Sequence, residues 1–401
     1  MAHSFPEEIM QEILIRLSVK SLIKCTSVCK AWRSMIINQS FIHAHLNPTV
    51  DFANLNDIDL LLLHRIAGSN SLNYYQNTVI HKVKDEVHSV HHDNQAFDVY
   101  SKIEFPIAAK KNYGNSHLRV VGTCDGLICL ADDVPSYAYN FIIWNPAIKK
   151  SVTLPKPGIT FPTHGGYDAS IGFGFDATTN DYKVVRVVTL LDEDDEMPTL
   201  AEVYSLATGT WRSLGCVSPA CLIDKAASSA FVNGVLHWPV VCQTDVDSYY
   251  FILTFDLGKE VFSQIPMPKI IQWNFKLGLQ LSVSDNRKSI ALFMMPNNLF
   301  MDYGREDSVL DIWVMKEYGR EESWTKLITL NGPFFMDYGR EDSVLDIWVM
   351  KEYGREESWT KLITLNPLGP ETIFLSALCF RKSGELLLLL KEKERQELLE
   401  I

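Results

Sequence analysis

His88, His91, His92 and Asp93 put three imidazoles and a carboxylate into one short run, donor types that hold zinc. Adjacent His91 and His92 would point to opposite faces of a strand, so they do not converge easily on one ion, and the run reads as a polar segment. The acidic run Asp192-Glu193-Asp194-Asp195-Glu196 could attract Ca²⁺. It lacks the glycine and the alternate spacing of a calcium loop, so it reads as a solvated connection. Gly172-Phe173-Gly174 suggests a phosphate-cradling turn, but that chemistry needs a helix N-terminus directly after the glycines. Here a polar stretch, Asp176 to Asp181, leads into the apolar run Lys183–Val188, which is a turn into a strand. The eight cysteines include Cys25/Cys29, Cys124/Cys129 and Cys216/Cys221, none with a second pair at zinc spacing. They read as reduced thiols serving as small buried hydrophobes. No Ser/His/Asp or Cys/His arrangement stands at a recognisable spacing. The residues thus point to no metal, no cofactor and no catalytic group.

The elements that would position these side chains fall into two regimes. Residues 5–46 read as helices. Pro6 suits the first turn, Glu7 and Glu8 favour the helix dipole there, and Ile9, Ile13, Leu14 and Leu17 recur at helical spacing. A second short helix carries Leu22, Ile23 and Cys25; a third carries Val28, Cys29, Trp32, Met35 and Ile36, with Phe41 and Leu46 following. Three short amphipathic helices make too little core to stand alone, so the module needs a partner.

Beyond residue 58 the chain reads as short strands punctuated by turn residues. Val120–Leu130, Phe141–Trp144 and Ser151–Leu154 form one unit; Ser170–Phe175, Lys183–Val188, Ala201–Ser205 and Thr210–Leu214 the next. Ala230–Leu236, Tyr250–Phe255 and Val261–Ile265 form a third, and Leu277–Val283 with Ser289–Met294 opens a fourth. Asp125-Gly126, Asn145-Pro146, Thr208-Gly209, Asn233-Gly234 and Ser383-Gly384 mark the turns. Units of ~45 residues with about four strands each are the grammar of a propeller blade. A repeat of another kind is superimposed. Phe300–Asn331 and Phe335–Asn366 are identical, and identity over 32 residues marks a very recent duplication or a gene-model error, not a fold period.

Bulk properties narrow the function classes. The chain has 401 residues, 47% hydrophobic and 21% charged, with nine Trp, 15 Tyr and 20 Phe, as a globular protein with a large aromatic core or recognition surface would. A net charge of −12 argues against a nucleic-acid partner, which calls for clustered Lys and Arg, and suits a basic protein target. The first residues carry no signal-peptide pattern, and the longest apolar runs, Leu60–Leu63 and Leu386–Leu390, are far short of the ~20 residues of a membrane span. A cytoplasmic or nuclear protein without a membrane partner is the expectation.

At the N-terminus the pattern becomes specific. Phe5-Pro6-Glu7-Glu8-Ile9, Glu12-Ile13-Leu14-Ile15-Arg16-Leu17, Val19-Lys20-Ser21-Leu22, Val28-Cys29-Lys30-Ala31-Trp32-Arg33 and Ser40-Phe41-Ile42 follow one another in an order that resembles a plant F-box. That family has Leu where Phe5 stands and Pro where Ser18 stands. Residues ~118–395 resemble the type 1 F-box-associated domain, through Gly122–Cys129, Trp144-Asn145-Pro146, Gly172–Asp176, Asp181–Val185 and Asn233–Trp238. The family includes the pollen S-locus F-box proteins of self-incompatibility and immune-regulatory relatives.

The resemblance implies a small helical F-box over residues 1–47 and an all-β, kelch-like propeller of about six blades over 48–401, its last blade incomplete. It implies a non-catalytic substrate receptor of a Skp–cullin–F-box ubiquitin ligase, reaching a cullin–RING ligase through a Skp-type adaptor. The adaptor would meet Phe5, Pro6, Ile9, Ile13, Leu17, Val19, Leu22, Val28, Cys29 and Trp32. The target would meet long polar or Pro/Gly-rich loops at Pro155–Gly166, Asp192–Pro198 and Cys242–Ser248, including His164, Asp192, Glu193, Asp194, Asp195, Glu196 and Asp245. An S-locus ribonuclease is one such basic target. The alternatives are a non-degradative interaction scaffold and a propeller hydrolase or oxidase with its site on channel-facing loops.

Overall fold

The computed structural model describes residues 6–17, 19–46, 60–67, 85–92, 99–102, 118–132, 140–191, 198–223, 229–243, 248–267, 271, 277–284, 288–296, 308–332, 345–350, 359–365, 372–380, 386–392 and 395–400. Four short helices open the chain: α1 (Glu7–Ile15), α2 (Val19–Cys25), α3 (Lys30–Ile36) and α4 (Gln39–Leu46). One more helix was found than the spacing predicted, because Asn38 accepts a hydrogen bond from Ser40 N–H at 2.8 Å and starts a new turn around Phe41. Pro6 is the residue before α1 and keeps extended angles, φ −53° and ψ 145°, so it delimits the helix instead of occupying its first turn. No described helix is long and apolar enough to cross a membrane.

The described residues that follow are mainly antiparallel sheet. A first sheet holds β1 (Leu60–Ala67), β2 (Asp85–His92) and β3 (Val99–Lys102). The second holds β4 (Arg119–Cys124), β5 (Leu127–Asp132), β6 (Asn140–Asn145) and β7 (Lys150–Thr153). A one-turn helix, α5 (Phe161–His164), leads to β8 (Tyr167–Asp176), β9 (Asp181–Leu190), β10 (Thr199–Ser205) and β11 (Thr210–Cys216). The fourth sheet holds β12 (Leu222–Ile223), β13 (Ala230–Val232), β14 (Val235–Gln243), β15 (Ser248–Asp256) and β16 (Val261–Pro266). Both β12 and β13 pair with β14, so its inner strand is split in two. The fifth sheet runs β17 (Leu277–Val283), β18 (Ile290–Pro296), β19 (Ser308–Met315), β20 (Trp324–Gly332), β21 (Leu345–Met350) and β22 (Trp359–Leu365). The last is β23 (Thr372–Phe380), β24 (Leu386–Glu392) and β25 (Arg395–Glu400).

Four of these sheets have the four or more strands of a blade, against the expected six. The count of six came with the resemblance. The duplicated hairpin adds no blade, because it widens one sheet to six strands. The first and last sheets stop at three strands, and among the described residues β1 pairs with β2 and not with the last sheet.

Successive blades meet through their inner strands, β4 beside β8, β8 beside β14, and β17 beside β13 and β14. The approach of β8 to the next blade is the tightest. A Cβ on Gly172 would lie 2.7 Å from Trp238 and 2.9 Å from Leu236; one on Gly174 would lie 2.6 Å from Phe231. Gly172-Phe173-Gly174 is therefore a packing device. Around it the core is apolar: Trp238, Leu236, Val185, Val187, Leu253 and Phe255 are buried.

A buried ion network bridges the same two blades. Lys183 Nζ donates to Asp176 Oδ2 at 2.7 Å, to Leu257 O at 2.9 Å and to Glu260 Oε1 at 3.0 Å, and Arg212 pairs with the other Glu260 oxygen. Burial opposes the charge on Asp176, but hydrogen bonds from Lys183, Thr179 and the Thr178 amide outweigh it and hold the carboxyl down to about 2. Nearby, burial pushes His237 down to about 4; its Nδ1 faces Ala230 O at 3.0 Å and its Nε2 the Tyr318 hydroxyl at 2.8 Å.

Gly172→Val should destabilise the domain by about 1–3 kcal/mol or more through overpacking, read as a fall in the denaturant midpoint. The pH dependence has a fixed sign. His237 is depressed, so its contribution is complete above its ordinary 6.5 and shrinks as pH falls toward 4. Asp176 is also depressed; its contribution of about 2 kcal/mol is complete above its ordinary 3.8 and is lost as pH falls through 2. Thermal midpoints measured from pH 8 to 2 should show both steps, and His237→Gln should flatten the first.

Candidate functional site

The helical module divides its apolar residues between two jobs. Leu14, Leu22, Ile36 and Phe41 are buried and form its core, with Ile15, Leu17, Cys25, Trp32 and Met35 packed against them. Ile9 (47% exposed), Ile13 (50%), Val19 (39%) and Val28 (63%) face outward. Ile23, Ile37 and Ile42 are exposed as well. So many exposed branched aliphatics on a module of four short helices are the mark of an incomplete interior.

The residues expected at the adaptor surface separate accordingly. Ile9, Ile13, Val19 and Val28 are available to a partner, Leu17 and Trp32 are shared with the internal core, and Leu22 belongs to that core. Cys29 has a local role that spacing did not show: its exposed sulfur caps α3, accepting from Trp32 N–H at 3.4 Å. His45, on α4, ties the module together by a 2.9 Å contact to Leu17 O. Phe5 lies outside the described residues.

The propeller has two unlike ends. At one, tight turns close the strands: Asp125-Gly126, Asn233-Gly234, residues 177–180, 206–209 and 257–260. Left-handed backbone at Asp125 (φ 48°), Asn180 (φ 55°) and Asn233 (φ 54°) explains the Asn, Asp and Gly usage there. Asn145, Asp176 and Asp256 each accept two backbone N–H groups of the turn that follows.

The longer connections gather at the other end. Tyr167 pairs with Leu190, and Leu191 N–H donates to Gly166 O at 2.9 Å, so the segment entering β8 sits beside the one leaving β9. Val217 N–H donates to Thr199 O, and the Thr189 and Thr199 hydroxyls both donate to Cys221 O, which brings the entry to β12 to the same end. β14 ends there too, since it starts opposite β13, whose Phe231 lies against the far end of β8 at Gly174. The described strand ends that flank the candidate recognition loops, Leu191 and Pro198, Gln243 and Ser248, thus lie at the same end as Pro155–Gly166. Residues 192–197 and 244–247, hence Asp192, Glu193, Asp194, Asp195, Glu196 and Asp245, lie outside the described residues, as do the side chains of His88, His92 and Asp93.

The described loop, Pro155 to Gly166, is held from below by a buried ion pair. Arg186 and Glu202 are 1% and 3% exposed and bond directly to each other. Glu202 Oε2 accepts from Gly158 N–H at 2.9 Å and Ile159 N–H at 3.3 Å, and Arg186 Nη1 donates to Ile159 O at 3.1 Å. The guanidinium also lies 5.7 Å from the ring centroids of both Phe141 and Tyr167. On top, Thr163 Oγ1 accepts from Thr160 N–H at 2.9 Å and contacts His164 Nδ1 at 2.7 Å, leaving Phe161 and His164 exposed on α5.

Sequence reasoning missed this clamp. Its signal was present as single charges, Arg186 and Glu202, inside otherwise apolar strands, since a charge in such a place must be paired. Arg186→Ala should cost about 3–5 kcal/mol by stranding the Glu202 carboxylate. Hydrogen exchange at Gly158 and Ile159 should rise more than in any blade strand.

Comparison with known proteins gives this arrangement its family. Residues 3–43 match the F-box domain, and residues 78–341 match the F-box associated beta propeller domain. An F-box/kelch-repeat protein of Arabidopsis thaliana is 28% identical over 332 residues, covering 82% of this chain and 80% of the relative. The F-box protein CPR1 of Arabidopsis thaliana is 26% identical over 347 residues, covering 82% and 74%. Proteins of this kind are generally substrate receptors of Skp–cullin–F-box ligases and typically non-catalytic, the F-box implying binding to a Skp-type adaptor. The chain belongs to the F-box proteins that carry an F-box-associated β-propeller domain.

Proposed function

We propose that this chain is the substrate receptor of a Skp–cullin–F-box ubiquitin ligase, working in the cytoplasm or nucleus and carrying no chemistry of its own. The observation that carries the reading is the outward set Ile9, Ile13, Val19 and Val28 around a core that, among the described residues, has four buried side chains. A Skp-type adaptor covers that set and completes the interior that the helices lack. Phe5, Pro6, Leu17, Leu22, Cys29 and Trp32 contribute at its margin or by fixing its shape.

The propeller end with the long connections takes the target. Its loops stand on a rigid base of buried ion pair and paired strands, an arrangement that suits recognition. The acidic runs in residues 192–196 and the net charge of −12 favour a basic protein, an S-locus ribonuclease being one example of the class. Held beside the charged ubiquitin carrier, the target's lysines react by proximity. The division into an adaptor-binding module, 1–47, and a target-binding domain, 48–401, is part of the same proposal.

Adjacent residues of α1 provide the test. Ile13→Asp places a carboxylate on the exposed face and should leave the helices folded while weakening adaptor binding by about 3 kcal/mol or more, roughly a hundredfold in Kd. Leu14→Asp puts the charge into the core and should unfold the module itself. Calorimetric titration with the adaptor and circular dichroism separate the two. An Ile13→Asp variant that binds like the parent would overturn the assignment. Adaptor binding without ubiquitylation of any captured basic protein would identify a non-degradative scaffold instead.

A further inference from the structure

The duplicated segment raises a question about the fifth sheet that sequence identity makes unusually sharp. Two hairpins of the same sequence, β19–β20 and β21–β22, lie side by side in it. They have the same internal register, Ile312 opposite Ile328 and Ile347 opposite Ile363, with the same bulge after Ile312 and after Ile347. Each is seated through the same four residues. Asp311, Ile312, Trp313 and Val314 pair with Met294, Phe293, Leu292 and Ala291 on β18. Asp346, Ile347, Trp348 and Val349 pair with Asn331, Leu330, Thr329 and Ile328 on β20.

The inner seat is the one that builds the blade. Ile312, Val314, Met315 and Trp324 are buried there, Trp324 Nε1–H donates to Pro266 O at 3.0 Å, and Tyr318 reaches His237. Every side chain used has an identical counterpart 35 positions on: Ile347, Val349, Met350, Trp359 and Tyr353.

We propose that the two hairpins are interchangeable occupants of the seat on β18, so that this blade carries its own spare. Nothing in the side-chain chemistry distinguishes the copies at that seat; only the connecting chain does. If the second copy sits inside, the link after β18 lengthens from residues 297–307 to residues 297–342. The free-energy cost of loop closure grows as (3/2)RT ln n, so closure probability falls as the 3/2 power of length and the first copy is preferred by only about ninefold. An antiparallel strand also enters from the same end in either case, because β19 and β21 run in the same direction relative to β18. A defect confined to the first copy is therefore met by exchange of the hairpins.

Charge placed at the buried isoleucine of one copy or of both tests this in the full chain. Ile312→Asp alone and Ile347→Asp alone should each keep a cooperative unfolding transition. The double variant should raise the unfolding equilibrium constant more than tenfold beyond the product of the single effects, since it leaves no competent hairpin. In Ile312→Asp the substitution also makes the copies distinguishable by peptide mass, and hydrogen-exchange protection should pass from the first copy to the second. Deletion of residues 300–334, which leaves one hairpin next to β18, should fold normally. The proposal is overturned if Ile312→Asp alone is as damaging as the double variant, if protection does not move, or if the single-copy deletion fails to fold.

Discussion

The blades owe their arrangement to one close approach, the contact between β8 and the strands β13 and β14 where Gly172 and Gly174 face Trp238, Leu236 and Phe231. Sheets packed face to face ordinarily stand about 10 Å apart, with side chains interleaved between them. Toward a propeller axis that room narrows, and a pair of glycines supplies the missing space on one side so that an indole can fill it from the other. Once β14 is fixed, the register of its neighbours follows: β15 along its outer side, the split β12 and β13 along its inner side. The Lys183 network then joins the same two blades at the tight-turn end, where Asp176 and Glu260 come from different blades. An ion bridge of this sort is weak evidence for stability taken alone. Its contribution is register, because only one relative placement of the blades satisfies three acceptors with one ammonium group.

The helical module follows the opposite logic. The four buried residues among those described fall short of a normal domain interior, and α1 shows why. Among its residues Leu14 alone is buried, while Ile9 and Ile13 on the same helix stay exposed. Covering them within the chain would take another helix. Leaving them open makes the stability of the module depend on whatever covers them, which couples folding to assembly. Cys29 and His45 are the local reinforcements that let the helices hold their places meanwhile.

These two logics explain what the sequence could and could not disclose. Strand positions were readable because turn residues punctuate them: Asp125-Gly126 and Asn233-Gly234 stand where the backbone turns left-handed, and neighbouring residues alternate or run apolar as sheets demand. The helical stripe Ile9, Ile13, Leu14, Leu17 was readable too, but not its division. A helical period places all four within one broad sector, and which edge faces the core depends on α4, through Phe41 and the His45 contact to Leu17. The glycines of Gly172-Phe173-Gly174 could be freed from a phosphate role by the absence of a following helix. Their actual partner, Trp238, is more than sixty residues away, beyond the reach of local pattern. The blade count implied by the resemblance failed because the chain spends a duplicated segment on the width of one sheet.

Direction is what makes that duplication tolerable. At the inner edge of a blade there is no free space, since an added Cβ at Gly172 already collides. At the outer edge a new antiparallel strand meets solvent and a row of unpaired backbone groups, which it satisfies. Growth outward therefore adds hydrogen bonds without disturbing the contacts that hold blades together, and β20 passes from edge strand to interior strand without changing its pairing with β19. The ends of the blades obey a third rule. Tight turns at one end are fixed by Asn and Asp side chains binding backbone, and they leave little freedom for variation. The opposite end spans wider gaps between strands and is anchored from beneath by Arg186 and Glu202. Sequence can change there without loss of the sheets, so the end that the strands constrain least is the one at which a receptor of this family can differ from its relatives.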